Sequence, residues 1–209
     1  MNLFLLYLCS MNTTLASLVK SLPSKNIEEG RKKELQDFVD YLQEKKAKNL
    51  PLHLNFICTH NSRRSQFSQL WAKAMAHYHG HECTTYSGGV EVTACNERVI
   101  QTLIGQGFSI EQEGVSQNPH YRIQLGGVSL GTFFSKLFDD PSSPTTGFAA
   151  IMTCAHADEN CPFIPGAEQR IPVRYKDPKA FDDTPKEAEA YLAKSIEIAT
   201  EMHYVFSCL

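Results

Sequence analysis

From Thr13 to about Lys48 the apolar positions fall at helical spacing. Leu15, Leu18 and Val19 repeat at three and four residues, and Leu35, Phe38, Val39 and Leu42 do the same further on. Pro23-Ser24 interrupts the pattern, which predicts two helices, the second richly charged. From Leu52 the rhythm changes. Short apolar runs predict strands over Leu52–Ile57, Cys83–Ser87, Gly147–Thr153 and Ile171–Tyr175. Between and after them lie helical stretches, over Gln66–His77, Asn96–Gln106 and Thr184 to about Tyr204. Tyr121–Phe138 (YRIQLGGVSLGTFFSKLF) breaks the alternation. Its glycines and alternating apolar residues predict an added hairpin, and the Asp-Asp-Pro-Ser-Ser-Pro that follows reads as a turn or loop.

Alternating strands and helices predict an α/β fold in three layers, with a four-stranded parallel sheet between helices. Two units follow: an N-terminal helical extension over 1–50 and a compact domain over 51–209. The extension reads as a packing element, or as helices that pair two copies into a homodimer. Sites in such sheets lie at the carboxyl ends of strands. Cys58, Ser87, Cys154 and Asp177 all sit at such ends, so the fold brings them together.

Composition narrows the function. A chain of 209 residues with 42% hydrophobic content can bury one sizeable core. A formal net charge of −3 offers no whole-chain attraction for nucleic acid or an acidic membrane. The apolar Met1–Cys9 is too short to span a bilayer, lacks a basic start and precedes no clear cleavage site; Met11 is an alternative start. Seven cysteines, an odd number at irregular spacings, do not form a secreted disulfide framework, which points to the cytoplasm. His77, His79 and His81 sit at a predicted helix end, where capping by imidazole explains them better than metal.

The chemistry concentrates in Cys58-Thr-His-Asn-Ser-Arg-Arg-Ser65, between the first strand and its helix. A turn there presents backbone N–H groups as an anion cradle, and the helix adds its positive end. Arg64 supplies a two-pronged donor for a tetrahedral oxyanion. These features favour an anionic, nucleophilic sulfur at Cys58. Thr59, His60, Asn61, Ser62, Arg63, Arg64 and Ser65 thus become the oxyanion-binding set, with Ser87 able to fix the Asn61 side chain. Cys154 and Cys161 end a polar segment after the third strand and could exchange with Cys58 as thiolates. Asp177, before Pro178, could protonate a leaving oxygen. Asp140-Pro141 is a rival acid, but it precedes the third strand.

CTHNSRRS resembles the phosphate loop of the low-molecular-weight protein tyrosine phosphatase superfamily. The six-residue separation of Cys154 and Cys161 resembles its thioredoxin-coupled arsenate reductase branch. The order of loop, Tyr86-Ser87-Gly88, cysteine pair and Asp177-Pro178 also matches, over roughly Leu52 to Phe206. The resemblance implies that the Cys58 thiolate attacks arsenate held by the loop and Arg64, and that Asp177 protonates the leaving hydroxyl. Cys154 then releases arsenite, and Cys161 carries the disulfide to thioredoxin. No metal or organic cofactor is implied. Three departures stand out. Arg63 replaces a second loop cysteine and should make the loop more anion-loving; His60 replaces a small residue; Gln69 replaces an acidic residue of a potassium site, so that ion is not expected. Two other readings stay open. A phosphomonoesterase needs only Cys58, Arg64 and Asp177, although Phe181 alone supplies an aromatic wall after Asp177-Pro178. A metal-binding or redox-sensing module could use Cys58, His60, Cys154, His156 and Cys161, with Arg63 and Arg64 opposing a cation.

Overall fold

A computed structural model describes residues 13–22, 27–125, 128–160 and 163–209. Strands β1 (His53–Cys58), β2 (Thr84–Gly89), β6 (Phe148–Met152) and β7 (Ala167–Pro172) form a parallel sheet in the order β2-β1-β6-β7. β1 pairs with β2 from His53↔Thr84 to Cys58↔Gly89, and with β6 from Leu54↔Ala149 to Ile57↔Met152. Central strands buried on both faces read as unbroken apolar runs; β6 is buried throughout, and so is β1 after His53.

Alternate residues of each strand serve opposite faces. Leu54, Phe56, Ala149, Ile151, Ile171 and Val173 share one core with residues of α1 (Thr13–Ser21), α2 (Glu29–Ala47), α3 (Arg64–Tyr78), α4 (Glu97–Gly105) and α6 (Glu187–Ser207). Ile57, Phe148, Ala150 and Met152 form a smaller cluster with Cys58, Cys154, Ala157 and Ile164. On that face the helical cover is the short α5 (Ala155–Asn160). The expected three layers are present, with unequal outer layers.

α2 buries Leu35, Phe38, Val39 and Leu42, and Phe38 meets the Phe56 ring edge-on at 6.4 Å between centroids. These α2 side chains pack into the chain's own core, as a packing element would. The fourth strand begins and ends earlier than the apolar run Ile171–Tyr175 predicts. β7 is an edge strand, so its Glu168-Gln169-Arg170 portion is polar and carries no hydrophobic signal. Val173 and Tyr175 still donate to Met152 O and Thr153 O beyond the strand's end.

The expected hairpin belongs to a three-stranded antiparallel sheet, β3 (Ser109–Glu113), β4 (His120–Leu125) and β5 (Val128–Phe133). Its third strand, SIEQE, is polar and half-exposed, which hid it from a hydrophobic pattern. The run Phe134–Phe138, expected within the hairpin, instead leaves it and crosses to β2. There Gly89 N donates to Lys136 O and Phe138 N to Gly89 O. A Cβ on Gly88 would lie 2.2 Å from the Phe138 backbone, so glycine is required at this crossing. Among the described residues no helix is long and apolar enough to cross a membrane.

Candidate active site

β1 delivers Cys58 to the carboxyl end of the sheet, and α3 starts six residues later at Arg64. The intervening loop turns its carbonyls outward. Thr59 O accepts from Val90 N and Glu91 N, Ser62 O from Asn96 N, and Arg63 O from Phe67 N. His60 O accepts from Ser135 Oγ and Thr93 Oγ1, and Asn61 O from Gln66 Nε2. In trans peptides N–H lies opposite C=O, so the amides of these peptides face the concave side, as an anion cradle needs.

Asn61 holds the turn at φ 47°, a left-handed conformation that asparagine tolerates better than most residues. Its Oδ1 accepts from Lys136 N at 3.0 Å, and its Nδ2 donates to Ser65 Oγ at 2.9 Å. Ser65 Oγ lies 3.1 Å from Cys58 Sγ. A chain of contacts thus runs from the segment after β5 to the sulfur. Cys58 is 3% exposed.

Arg64 leans across the loop. Its Nη2 donates to Asp177 Oδ2 at 2.7 Å and its Nη1 to Tyr175 O at 3.1 Å. Its Nε is buried with no partner, which leaves a donor for a ligand at the loop. Asp177 Oδ1 accepts from Lys179 N and caps the short 3₁₀ turn Pro178–Phe181. The rival Asp140 is engaged in its own turn, where its carboxylate accepts from Ser142 Oγ and N. Those bonds, with Lys136 nearby, hold it below the usual carboxylate range.

Cys154 follows β6 and precedes α5. Its sulfur is buried, accepts from Ala157 N at 3.3 Å, and lies 3.5 Å from Thr59 Oγ1 on the phosphate loop. Thr59 Oγ1 is also 3.3 Å from His156 Nδ1. Cys58 and Cys154 share one buried cluster. Cys161 lies outside the described residues. Cys58, Cys83, Cys95, Cys154 and Cys208 are free thiols, and burial pushes Cys83 and Cys95 up to about 12, which keeps them protonated and unreactive.

No family model matches the chain. Over 123 residues it is 27% identical to arsenate reductase 2 of Staphylococcus epidermidis, across 59% of this chain and 76% of that protein. Over 132 residues it is 24% identical to an arsenate reductase of Halalkalibacterium halodurans, across 63% and 78%. The solved low-molecular-weight protein tyrosine phosphatase of T. tengcongensis shares the fold at a TM-score of 0.51 and 14% identity, over 76% of this chain and 99% of that one. The chain has the fold of that phosphatase, and its sequence is similar to those arsenate reductases.

Several expected roles within this site need correction. Arg63 does not add charge to the loop. Its Nε donates to Tyr191 Oη at 2.7 Å and its Nη2 to Asp182 at 3.1 Å, so the side chain is drawn away to α6 and the acid loop. Ser87 does not fix Asn61. The Asn61 amide bonds Lys136 N and Ser65 instead, and Ser87 Oγ is buried with no hydrogen-bond partner. His60 points outward, 3.4 Å from Glu91. Ser62 contributes its backbone and is buried. Gln69 donates to Thr85 O on β2. The His79 ring does not cap its helix; it stacks on His203 and lies within hydrogen-bond distance of it, at 3.0 Å. Among the described residues no three His, Cys, Asp or Glu side chains are grouped to hold a metal ion.

Supporting residues absent from the expected set are Ser135, Lys136 and Asn118. Ser135 bonds His60 O and accepts from Thr93 N, while both polar atoms of the Asn118 amide hold the Ser135 backbone. They come from the antiparallel sheet and its exit, and no local motif marks them. Tyr175 was legible only as a strand residue; its contribution is a carbonyl.

Proposed function

We propose that this chain reduces arsenate to arsenite through Cys58 and a thiol–disulfide relay. Arsenate sits in the loop against the amides and Arg64. Cys58 Sγ attacks arsenic, an As–O bond breaks, and Asp177 protonates the departing hydroxide, which leaves as water. Cys154 Sγ attacks Cys58 Sγ. The S–As bonding pair stays on arsenic, so As(V) becomes As(III), and a Cys58–Cys154 disulfide remains. Cys161 attacks Cys154 and frees Cys58. Thioredoxin, the proposed partner, supplies two electrons to the Cys154–Cys161 disulfide. No metal or organic cofactor takes part in this scheme. Seven cysteines, an odd number at irregular spacings, suit the cytoplasm, where thioredoxin works.

The observation that carries this reading is the second thiol buried against the phosphate loop, with Cys154 Sγ 3.5 Å from Thr59 Oγ1. Phosphomonoester hydrolysis through Cys58 needs no second thiol. The similarity to curated arsenate reductases supports the same choice. Phosphomonoester hydrolysis through a phosphocysteine is the second reading, favoured by the direct Arg64–Asp177 contact, which puts an acid beside the oxyanion donor.

The test is arsenate-dependent oxidation of NADPH with thioredoxin and thioredoxin reductase, run beside hydrolysis of an aryl phosphate. Cys58→Ser should abolish both activities. Cys154→Ser should stop arsenate turnover after one cycle and spare ester hydrolysis. Sustained arsenate turnover without Cys154 overturns the relay. Ester hydrolysis with no arsenate turnover makes the chain a phosphatase.

A further inference from the structure

Both groups that hold Arg64, the Tyr175 carbonyl and the Asp177 carboxylate, lie on the short segment that follows β7. That segment is gripped from outside the superfamily-like region. In the first turn of α2, Arg31 donates from Nε and Nη2 to both oxygens of Glu201, at 2.7 and 2.8 Å. Glu201 is on α6 and its side chain is 5% exposed. The same guanidinium lies over the buried Tyr175 ring, 5.2 Å from its centroid. At the other end of β7, Tyr41 and Lys45 of α2 bond the Glu168 carboxylate at 2.7 and 2.9 Å. α2 therefore spans the edge strand that leads into the acid loop, with its Arg31 end nearest the catalytic side.

We propose that Arg31 is a positioning residue: through Glu201 and the Tyr175 ring it fixes the Tyr175–Asp177 segment, and so the orientation in which Arg64 receives the oxyanion. The N-terminal extension is then part of the active site's frame. A bidentate guanidinium–carboxylate pair is planar and directional, so it holds the guanidinium at a fixed place over the Tyr175 ring, which apolar packing alone does not. The effect on chemistry passes through one carbonyl and one carboxylate; Arg31 itself touches no reacting atom.

The inference rests on Arg64 as the oxyanion-binding guanidinium. The test uses the full-length reduced protein and two probes, calorimetric binding of inorganic phosphate and the KM for arsenate. Arg31→Met with Glu201→Met removes the pair together and leaves no buried charge alone. It should weaken phosphate binding and raise KM by about tenfold, the scale of one displaced charged hydrogen bond. Arg31→Lys, which keeps the charge and loses the fork, should fall between this variant and wild type, and it carries the comparison if the double variant fails to fold. Tyr41→Phe with Lys45→Met cuts the grip at the far end of β7 and should lower thermal stability yet leave phosphate affinity within about twofold. Unchanged phosphate affinity in the Arg31 variants, or an equal loss in the far-end variant, overturns the proposal. Arg64→Lys separates the two levels. If it binds phosphate as wild type does, the reading of Arg64 fails. If it binds weakly while the Arg31 variants bind normally, only the brace fails.

Discussion

Asn61 carries three demands on one residue. It takes a positive φ, and its amide accepts from Lys136 N and donates to the hydroxyl that faces Cys58 Sγ. Asn61→Ala keeps the backbone small but makes φ 47° costly and leaves Lys136 N buried without a partner. The expected loss of stability is about 1–3 kcal/mol from the orphaned donor. Alkylation of Cys58 by iodoacetamide should change with it, because Ser65 Oγ loses its fixed orientation. An unaltered alkylation profile would mean that Ser65 is held by other contacts. The two aspartates offer a sharper comparison. Asp177 touches Arg64, whereas Asp140 closes its own turn with Ser142. Asp177→Asn should slow aryl phosphate hydrolysis by about two to four powers of ten, and Asp140→Asn should leave the rate near wild type. The reverse pattern would transfer the acid role to Asp140.

At the scale of elements, α5 matters most, because it begins directly after Cys154. It is six residues long, far below the length at which an isolated helix holds itself. Its anchor is Asp158, 4% exposed at the side chain, which pairs with Arg170 of β7 and with Arg174 just beyond it. Asp158→Ala should destabilise the protein by about 1.5–3 kcal/mol, the range for hydrogen bonds to charged groups. It should also raise the alkylation rate of Cys154 at fixed pH while Cys58 stays unchanged, as mass spectrometry of labelled peptides can read. Equal acceleration at both cysteines would indicate general loosening. The elements also show what a pattern of apolar residues can and cannot tell. β1, β6 and α3 were legible because buried strands and an amphipathic helix leave periodic signals, and the Cys58–Arg64 spacing was legible because one turn holds it. β3 and the start of β7 were not, since edge and half-exposed strands are polar. Arg63 misled for another reason: its partners, Tyr191 and Asp182, are over a hundred residues away in sequence. Side-chain direction in a loop is decided by such tertiary partners, and no local spacing encodes them.

The molecule as a whole has two chemically distinct ends, joined by α3. One end holds Arg64 and the phosphate loop. At the other, past Tyr78, His79 stacks on His81 and on His203 of α6, with Tyr78, Phe206 and Lys46 around them. Burial, with His203 and His81 as neighbours, lowers His79 to about 4, against an ordinary value of 6.5; burial also lowers His203 and His81. In the unfolded chain these rings take up protons near 6.5, whereas the folded stack resists them. Between pH 6.5 and 4 the unfolded state therefore binds more protons, so the stack's contribution is complete above that window and is lost as the pH falls through it. The depressed carboxylates, Glu168 and Glu187 among them, act in a lower window, below their ordinary value of 4.5. The thermal midpoint should accordingly fall in two stages on acidification, and His79→Gln should flatten the first stage alone. A first stage that persists unchanged in His79→Gln would assign it to another group. The fifteen residues of α3 put about 22 Å between the stack and the loop. The pH profile of Cys58 alkylation should thus be the same in His79→Gln and wild type under folded conditions, which separates loss of stability from loss of chemistry.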